Sequence, residues 1–357
     1  MATQRLNSLD VLRGLDLFLL VFLQPILLSF LSHTDSPWSN VVLYQLDHEI
    51  WQGFRFWDLV MPLFLFMSGI SMPFALSRFI KGAVPASQAA YKIVRRFIVL
   101  FVLGMIVQGN LLWFRPEYLM PYNNTLQAIA TGYLITAILL LSKAKLPTQI
   151  FFNIALLASY TIPMMMAGDY TPTGNFAGQI DALIMGSHRG DPTYAWVLPS
   201  CNFAVTVWLG ALAGQIIRLI PTPDTRTAIR LATIGIVLIL SGLLWGTNMP
   251  IIKRIWTSSM TLYSAGLCFM LIALFYQIID VWQIHAPFSW LKIYGMNSIV
   301  AYTIGETINF RSVVESVSYG LAPLFGEYYD TWLTLGNFSI LLLILTIMYR
   351  SKTFIKI

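Results

Sequence analysis

The chain has 357 residues, 57% of them hydrophobic and 11% charged, with a mean hydropathy of +0.69. Soluble domains carry about 25% charged residues, so this composition excludes a soluble fold and predicts an all-α polytopic membrane protein with the lipid bilayer as its partner. The formal charge of +6 is spread over short loops rather than gathered in a patch, which argues against nucleic-acid binding.

Apolar windows of sufficient length predict about ten spans, at 10–32, 55–79, 90–113, 124–142, 147–168, 197–219, 228–247, 258–281, 287–309 and 330–350. The first follows Arg5 and Arg13, lacks an AxA-like cleavage site, and reads as a retained span. No internal repeat or soluble insert interrupts the series, so residues 1–357 read as one transmembrane domain. With the N-terminus inside, only Arg55, Arg115, Arg189, Lys253, Arg254 and Arg311 of the 22 basic residues fall on the outer face. The rest, Lys81 and Lys356 among them, lie within, so both termini are expected in the cytoplasm and the protein in the inner membrane.

In the first span, Asp10, Arg13 and Asp16 stand at helical spacing near the inner interface. They suit a salt-bridge network or an anionic cofactor. Gln24, before the kinking Pro25, needs a partner inside the bundle: a helix neighbour or a substrate carbonyl.

His48 and Asp58 flank the outer end of the second span. A carboxylate at the edge of hydrocarbon needs a partner or a role, and a histidine beside it can act as a general base or as an acyl carrier. Ten residues apart, the two do not share a helical face. His48 is therefore expected in the preceding loop, folded back by Trp51 and Gly53. Asp58 either orients His48 or pairs with Arg55 at i, i+3. The plainer alternative is an ordinary loop histidine above a structural carboxylate.

Arg78, Lys81, Lys92, Arg95 and Arg96 flank one inner loop, where they set topology or hold phosphates. Asn124 and Gln127 open the fourth span with amides suited to sugar hydroxyls or to helix capping. The ninth span carries Asn297, Ser298 and, nearer its outer end, Glu306. Cys201 and Cys268 read as packing residues, and His33, His48, His188 and His285 show no metal-ligand pairing, so no metal is expected. GxxxxGK[ST], HExxH and GxSxG patterns are absent from the sequence.

Several of these stretches together resemble the heparan-α-glucosaminide N-acetyltransferase family. They are Ser8-Leu-Asp-Val-Leu-Arg-Gly14, then His48-x-x-Trp51-x-Gly53, then Asp58-Leu-Val-x-Pro62-x-Phe64-x-Phe66-x-x-Gly69. Leu126-Gln127, Trp256-Thr-Ser-Ser and Tyr294-Gly-Met-Asn-Ser extend the resemblance to about residue 310. The resemblance implies a membrane acetyltransferase that uses cytosolic acetyl-CoA to acetylate the amino group of a terminal glucosamine, or a related amino sugar, on the far side of the membrane. His48 would be the catalytic histidine, with Asp58 beside it. Arg13, Arg95, Arg96, Asn297 and Ser298 are the candidate donor-binding residues. Gln24, Trp51, Asn124, Gln127 and Glu306 are those for the acceptor, although Gln24 stands where the family has asparagine. A homodimer is a family-level expectation. An amino-sugar transporter and a glycan O-acyltransferase are the competing readings.

Overall fold

The computed structural model describes residues 6–34, 36–80, 82–109, 114–115, 117, 119–220 and 222–355. Arg5, Lys81, Lys356 and the end of the third expected span, 110–113, lie outside the described residues. All regular structure described is helical, apart from one isolated bridge between Gln52 and Ile252.

In chain order the helices are α1 (Asn7–Phe18), α2 (Gln24–Leu31), α3 (Pro37–Gln45), α4 (Val60–Ala75), α5 (Ser77–Ile80) and α6 (Ala86–Val107). Next come α7 (Thr125–Leu141), α8 (Leu146–Ala167), α9 (Phe176–Met185), α10 (Ser200–Arg218), α11 (Thr225–Gly246) and α12 (Ser258–Phe275). The last are α13 (Leu291–Met296), α14 (Ser298–Thr307), α15 (Arg311–Ser318), α16 (Ala322–Phe325) and α17 (Tyr329–Arg350). Among the described residues seven helical stretches are long and apolar enough to cross a bilayer: Asn7–Leu31, Phe56–Ala75, Leu146–Ala167, Ser200–Arg218, Thr225–Gly246, Ser258–Val281 and Arg311–Arg350. The protein is thus an all-α polytopic membrane protein. Helix α7 is apolar but shorter, and α6 carries Lys92, Arg95 and Arg96 within its length.

Local sequence explains the irregularities. Pro25 has no N–H to give, and the turn before it widens into a π-helix over Leu19–Leu23. The expected 287–309 span is not one continuous helix. It divides at Asn297 (φ −121°, ψ 41°), whose amide Nδ2 donates to Thr353 O (3.1 Å) and whose Oδ1 accepts from Ile355 N (3.1 Å). Both polar ends of that buried side chain are thus spent on the C-terminal tail.

Helix α10 is the central post, packed on α4, α7, α8 and α12. Its contact with α4 is possible because both surfaces are bare. A Cβ at Gly69 would overlap the Val207 carbonyl oxygen, and one at Gly210 would overlap that of Phe66. Helices α1 and α13 cross in the same way, with Gly14 against Leu291 O and Gly295 against Asp10 O. The glycines of the Leu-Arg-Gly and Tyr-Gly-Met-Asn stretches are therefore packing residues, and they bring Arg13 and Ser298 to one wall.

Candidate active site

His48 lies in the loop between α3 and a 3-10 turn, Phe56–Leu59, that leads into α4. Asp58 is the fastener of that loop. Its Oδ2 accepts from the backbone N–H groups of Glu49 (3.2 Å) and Arg55 (3.0 Å). Its Oδ1 lies 2.9 Å from His48 Nδ1 and 3.3 Å from Lys253 Nζ. The Asp58 side chain is fully buried, so all four partners are needed to offset its desolvation.

The expected i, i+3 pairing of Asp58 with the Arg55 side chain does not form. Asp58 takes the Arg55 backbone, and the guanidinium bonds Glu49 instead (3.0 and 3.3 Å) while lying 3.8 Å over the Tyr44 ring. That pairing holds the Glu49 carboxyl below its usual range. His48 and Asp58 meet although they share no helical face, because the loop turns back on itself. Gly53, at φ +135°, makes the turn.

A second loop closes the site. Gly53 N donates to Ile251 O (2.9 Å), and Gln52 bridges Ile252, which brings the neighbouring Lys253 against His48. Its Nζ is 2.8 Å from Nδ1 and 3.3 Å from Nε2. The loop is held from several sides: Tyr160 Oη donates to Ile255 O (2.7 Å), Asn202 Nδ2 to Trp256 O (2.7 Å), and Thr257 Oγ1 to Pro250 O (2.9 Å). The Trp256-Thr-Ser-Ser stretch thus caps α12 and fixes this loop. Burial pushes the Lys253 ammonium down to about 8, against the opposing pull of Asp58.

A ring nitrogen holds a proton or a lone pair, never both. With the proton on Nδ1 and donated to Asp58, Nδ1 has no lone pair for Lys253, whose ammonium then donates to Asp58 Oδ1 (3.3 Å); Nε2 keeps its lone pair, and His48 has the form of a general base or nucleophile oriented by a carboxylate.

Two neighbouring cavities lie here, with three lining residues in common. The one at the His48 end, about 170 Å³, is lined by His48, Lys253, Trp57, Tyr194, Trp196 and Glu306, among others. The other, about 270 Å³, is lined by Asp10, Arg13, Ser68, Arg96, Ser298 and the tail residues Phe354 and Ile355, among others. Phe64, Thr125 and Tyr302 line both cavities, and the Phe64 and Tyr302 rings meet edge to face at 6.1 Å. Two polar atoms on the larger cavity's lining residues, Ser68 Oγ and Arg96 Nε, are buried with no hydrogen-bond partner among the described residues. Such orphans are costly unless a ligand serves them.

The expected residues therefore separate. His48, Asp58 and Glu306 gather at one end, and Arg13, Arg96 and Ser298 at the other. Arg13 also donates to Met67 O (3.3 Å). Arg95 is exposed, on a shallow apolar face with Tyr91 and Val94. Asn297 holds the tail. Gln24 donates to Leu46 O (2.7 Å), supporting the His48 loop, and Trp51 Nε1 donates to Tyr170 O (2.7 Å). Asn124 caps α7, and Gln127 bonds Asn123 N (2.8 Å) and Pro121 O (2.7 Å). Lys253, the Phe64–Tyr302 contact and the tail are the features that sequence reasoning missed. Among the described residues no group of three or more histidine, cysteine or acidic side chains could hold a metal ion.

The heparan-alpha-glucosaminide N-acetyltransferase catalytic family matches residues 5–242 of the chain. The heparan-alpha-glucosaminide N-acetyltransferase of Mus musculus is 23% identical, over 86% of this chain and 54% of its own length. That of Homo sapiens is 23% identical, over 84% and 52%. The chain spans about half the length of these curated relatives.

Proposed function

The chain belongs to the heparan-alpha-glucosaminide N-acetyltransferase catalytic family, and on that premise we propose that it moves an acetyl group from acetyl-CoA to the amino group of a glucosamine or related amino sugar. The observation that carries this reading is the pair of cavities sharing Phe64, Thr125 and Tyr302. The hydrocarbon core is about 30 Å thick, more than a pantetheine arm spans with ease, so donor and acceptor must meet inside the bundle.

The donor's phosphates stay at the basic end, near Arg13 and Arg96; the distribution of loop charges supports a cytoplasmic placement of that end. Its thioester reaches past Phe64 and Tyr302. The acceptor enters from the other side, between Glu306 and the Tyr194–Trp196 wall. His48 Nε2, freed by the Nδ1–Asp58 bond, removes the proton from the attacking amine. The nitrogen joins the acetyl carbon, and the thiol departs as CoA.

The test is incubation of purified protein in nanodiscs with labelled acetyl-CoA and glucosamine. N-acetylglucosamine and free thiol should appear in equal amounts and vanish in His48→Ala. Stable label on wild type without acceptor would replace direct transfer by an acetyl-histidine route. Base-labile product would indicate O-acylation. Uptake of unmodified amino sugar without acetyl-CoA, and no thiol release, would make the protein a transporter.

A further inference from the structure

One buried cation has no part in the scheme so far. Lys253 lies beyond residue 242, where the family match ends. Its side chain is 10% exposed and ends among His48 Nδ1 (2.8 Å), His48 Nε2 (3.3 Å) and Asp58 Oδ1 (3.3 Å). A countercharge serving Asp58 alone would need neither nearness to both imidazole nitrogens nor a place on the cavity wall. Lys253 has both, since it lines the small cavity with His48. The loop that carries it is bonded to α8, to α10 and to the His48 loop, so its position is built rather than incidental.

We propose that Lys253 is a catalytic residue of the acyl transfer, its ammonium stabilising the oxyanion that forms when the acceptor amine attacks the thioester. The inference rests on the acetyltransferase reading above. In the step itself the amine lone pair forms the N–C bond, and the carbonyl π pair moves onto oxygen beside Lys253. His48 Nε2 takes the amine proton. The oxyanion then reforms C=O, the C–S bond breaks, and the leaving thiolate collects the proton from His48. Amide and thiol are the products. Lys253 donates a hydrogen bond throughout and keeps its proton, held charged by Asp58. A fixed cation at such an oxygen acts where water is excluded and needs no reorganisation during the reaction.

The charge has a pH limit. Burial sets Lys253 near 8, and the titratable or charged groups facing it are His48, Asp58, Arg254, Tyr194, Tyr302 and Glu306. A rate that needs the ammonium falls as pH rises through about 8.

The experiment compares wild type, Lys253→Met and Lys253→Arg in nanodiscs, with acetyl-CoA and glucosamine, following thiol and amide from pH 6 to pH 10. Lys253→Met should lower kcat by about 10²–10³-fold, the effect of removing an oxyanion donor, with KM for acetyl-CoA little changed. Lys253→Arg should keep much of kcat and lose the fall near pH 8, because a guanidinium does not titrate there. Wild-type kcat in Lys253→Met, or an unmoved alkaline fall in Lys253→Arg, overturns the assignment. Where Lys253→Met does not fold, the Lys253→Arg profile decides. Wild type that forms neither product sinks the acetyltransferase reading and this assignment with it; an active wild type matched by Lys253→Met sinks the assignment alone.

Discussion

The two neighbouring cavities, at opposite ends of the shared Phe64–Tyr302 contact, are built by different means. At the His48 end two loops are laid against the helices, pinned by hydrogen bonds that converge on one carboxylate, Asp58. At the other end the walls are helix faces, drawn together where glycines let backbones touch, and closed by a tail that one amide, Asn297, holds. The first design fixes polar atoms to within hydrogen-bond tolerance, which acid–base chemistry requires. The second gives room, about 270 Å³, beside a chain segment held by one side chain's two hydrogen bonds. If chemistry and donor binding occupy these different ends, as proposed, substitutions should affect different kinetic constants according to the end they touch.

The largest effects belong to the pinned end. His48→Ala should lower kcat by about 10²–10⁴-fold while the melting temperature in detergent barely moves, since the ring is 39% exposed. Asp58→Ala should cost both rate and stability. It removes four bonds at once and strands Lys253, and breaking a buried pair typically costs about 3–5 kcal/mol. Thermal unfolding followed beside activity separates the two variants; equal melting shifts would mean that Asp58 does not fasten the loop. Lys253 adds a sign test. Its native pKa of about 8 lies below the unfolded value of about 10.4. Between those values the unfolded chain binds the proton and the folded one does not, so folding stability rises with pH across that window. Activity should fall over the same range. A parallel fall of both would contradict the assignment of the lower value to Lys253.

At the helix-walled end stability should respond before chemistry. Gly69→Ala and Gly295→Ala each force a Cβ into a backbone carbonyl, and overpacking of this kind costs about 1–3 kcal/mol. Lower melting temperatures with kcat retained in the surviving folded protein are expected. Unchanged melting would show that the helices separate without cost.

How much of this the sequence discloses depends on distance along the chain. The spans are legible because apolar length is a local property, and His48 and Asp58 stand out because their types are costly beside hydrocarbon. Their pairing is legible only as one alternative, beside an Asp58–Arg55 pair. Helical periodicity places them apart, and the loop that unites them is closed by Asp58 bonding to backbone N–H groups, which leave no mark in side-chain spacing. Lys253 is hidden further, 205 positions from His48. Its one local signal is that it is one of only six basic residues on the outer face, in the turn before Trp256-Thr-Ser-Ser. Asn297 is visible as a buried amide in need of partners, but those partners are tail carbonyl and N–H groups 56 and 58 residues away. Residue type carries the need for a partner, and only the fold supplies its identity.

The tail offers a smaller effect. Lys352 takes a left-handed conformation (φ 56°), and the chain after it turns back so that Phe354 and Ile355 line the larger cavity. Ending the chain at Lys352, or making Asn297→Ala, should change KM for acetyl-CoA several-fold and leave kcat with saturating donor near wild type. A loss of kcat alone would place the tail's influence at the His48 end instead.

Adjacent arginines provide the finest discrimination. Arg95 and Arg96 are neighbours in sequence and look equivalent as phosphate ligands, yet successive helix positions point about 100° apart. Arg96 faces the larger cavity, with its guanidinium 4.4 Å over the Tyr133 ring and Nε lacking a partner among the described residues. Arg95 faces outward beside Tyr91 and Val94. A charge-assisted hydrogen bond to phosphate contributes about 1.5–3 kcal/mol, so Arg96→Gln should raise KM for acetyl-CoA by roughly ten-fold or more while kcat holds. Arg95→Gln should leave KM where it was, and high salt should narrow the gap between Arg96→Gln and wild type by screening. If both variants raise KM equally, the donor's phosphates lie outside the cavity, and the helix-walled end admits only the pantetheine arm.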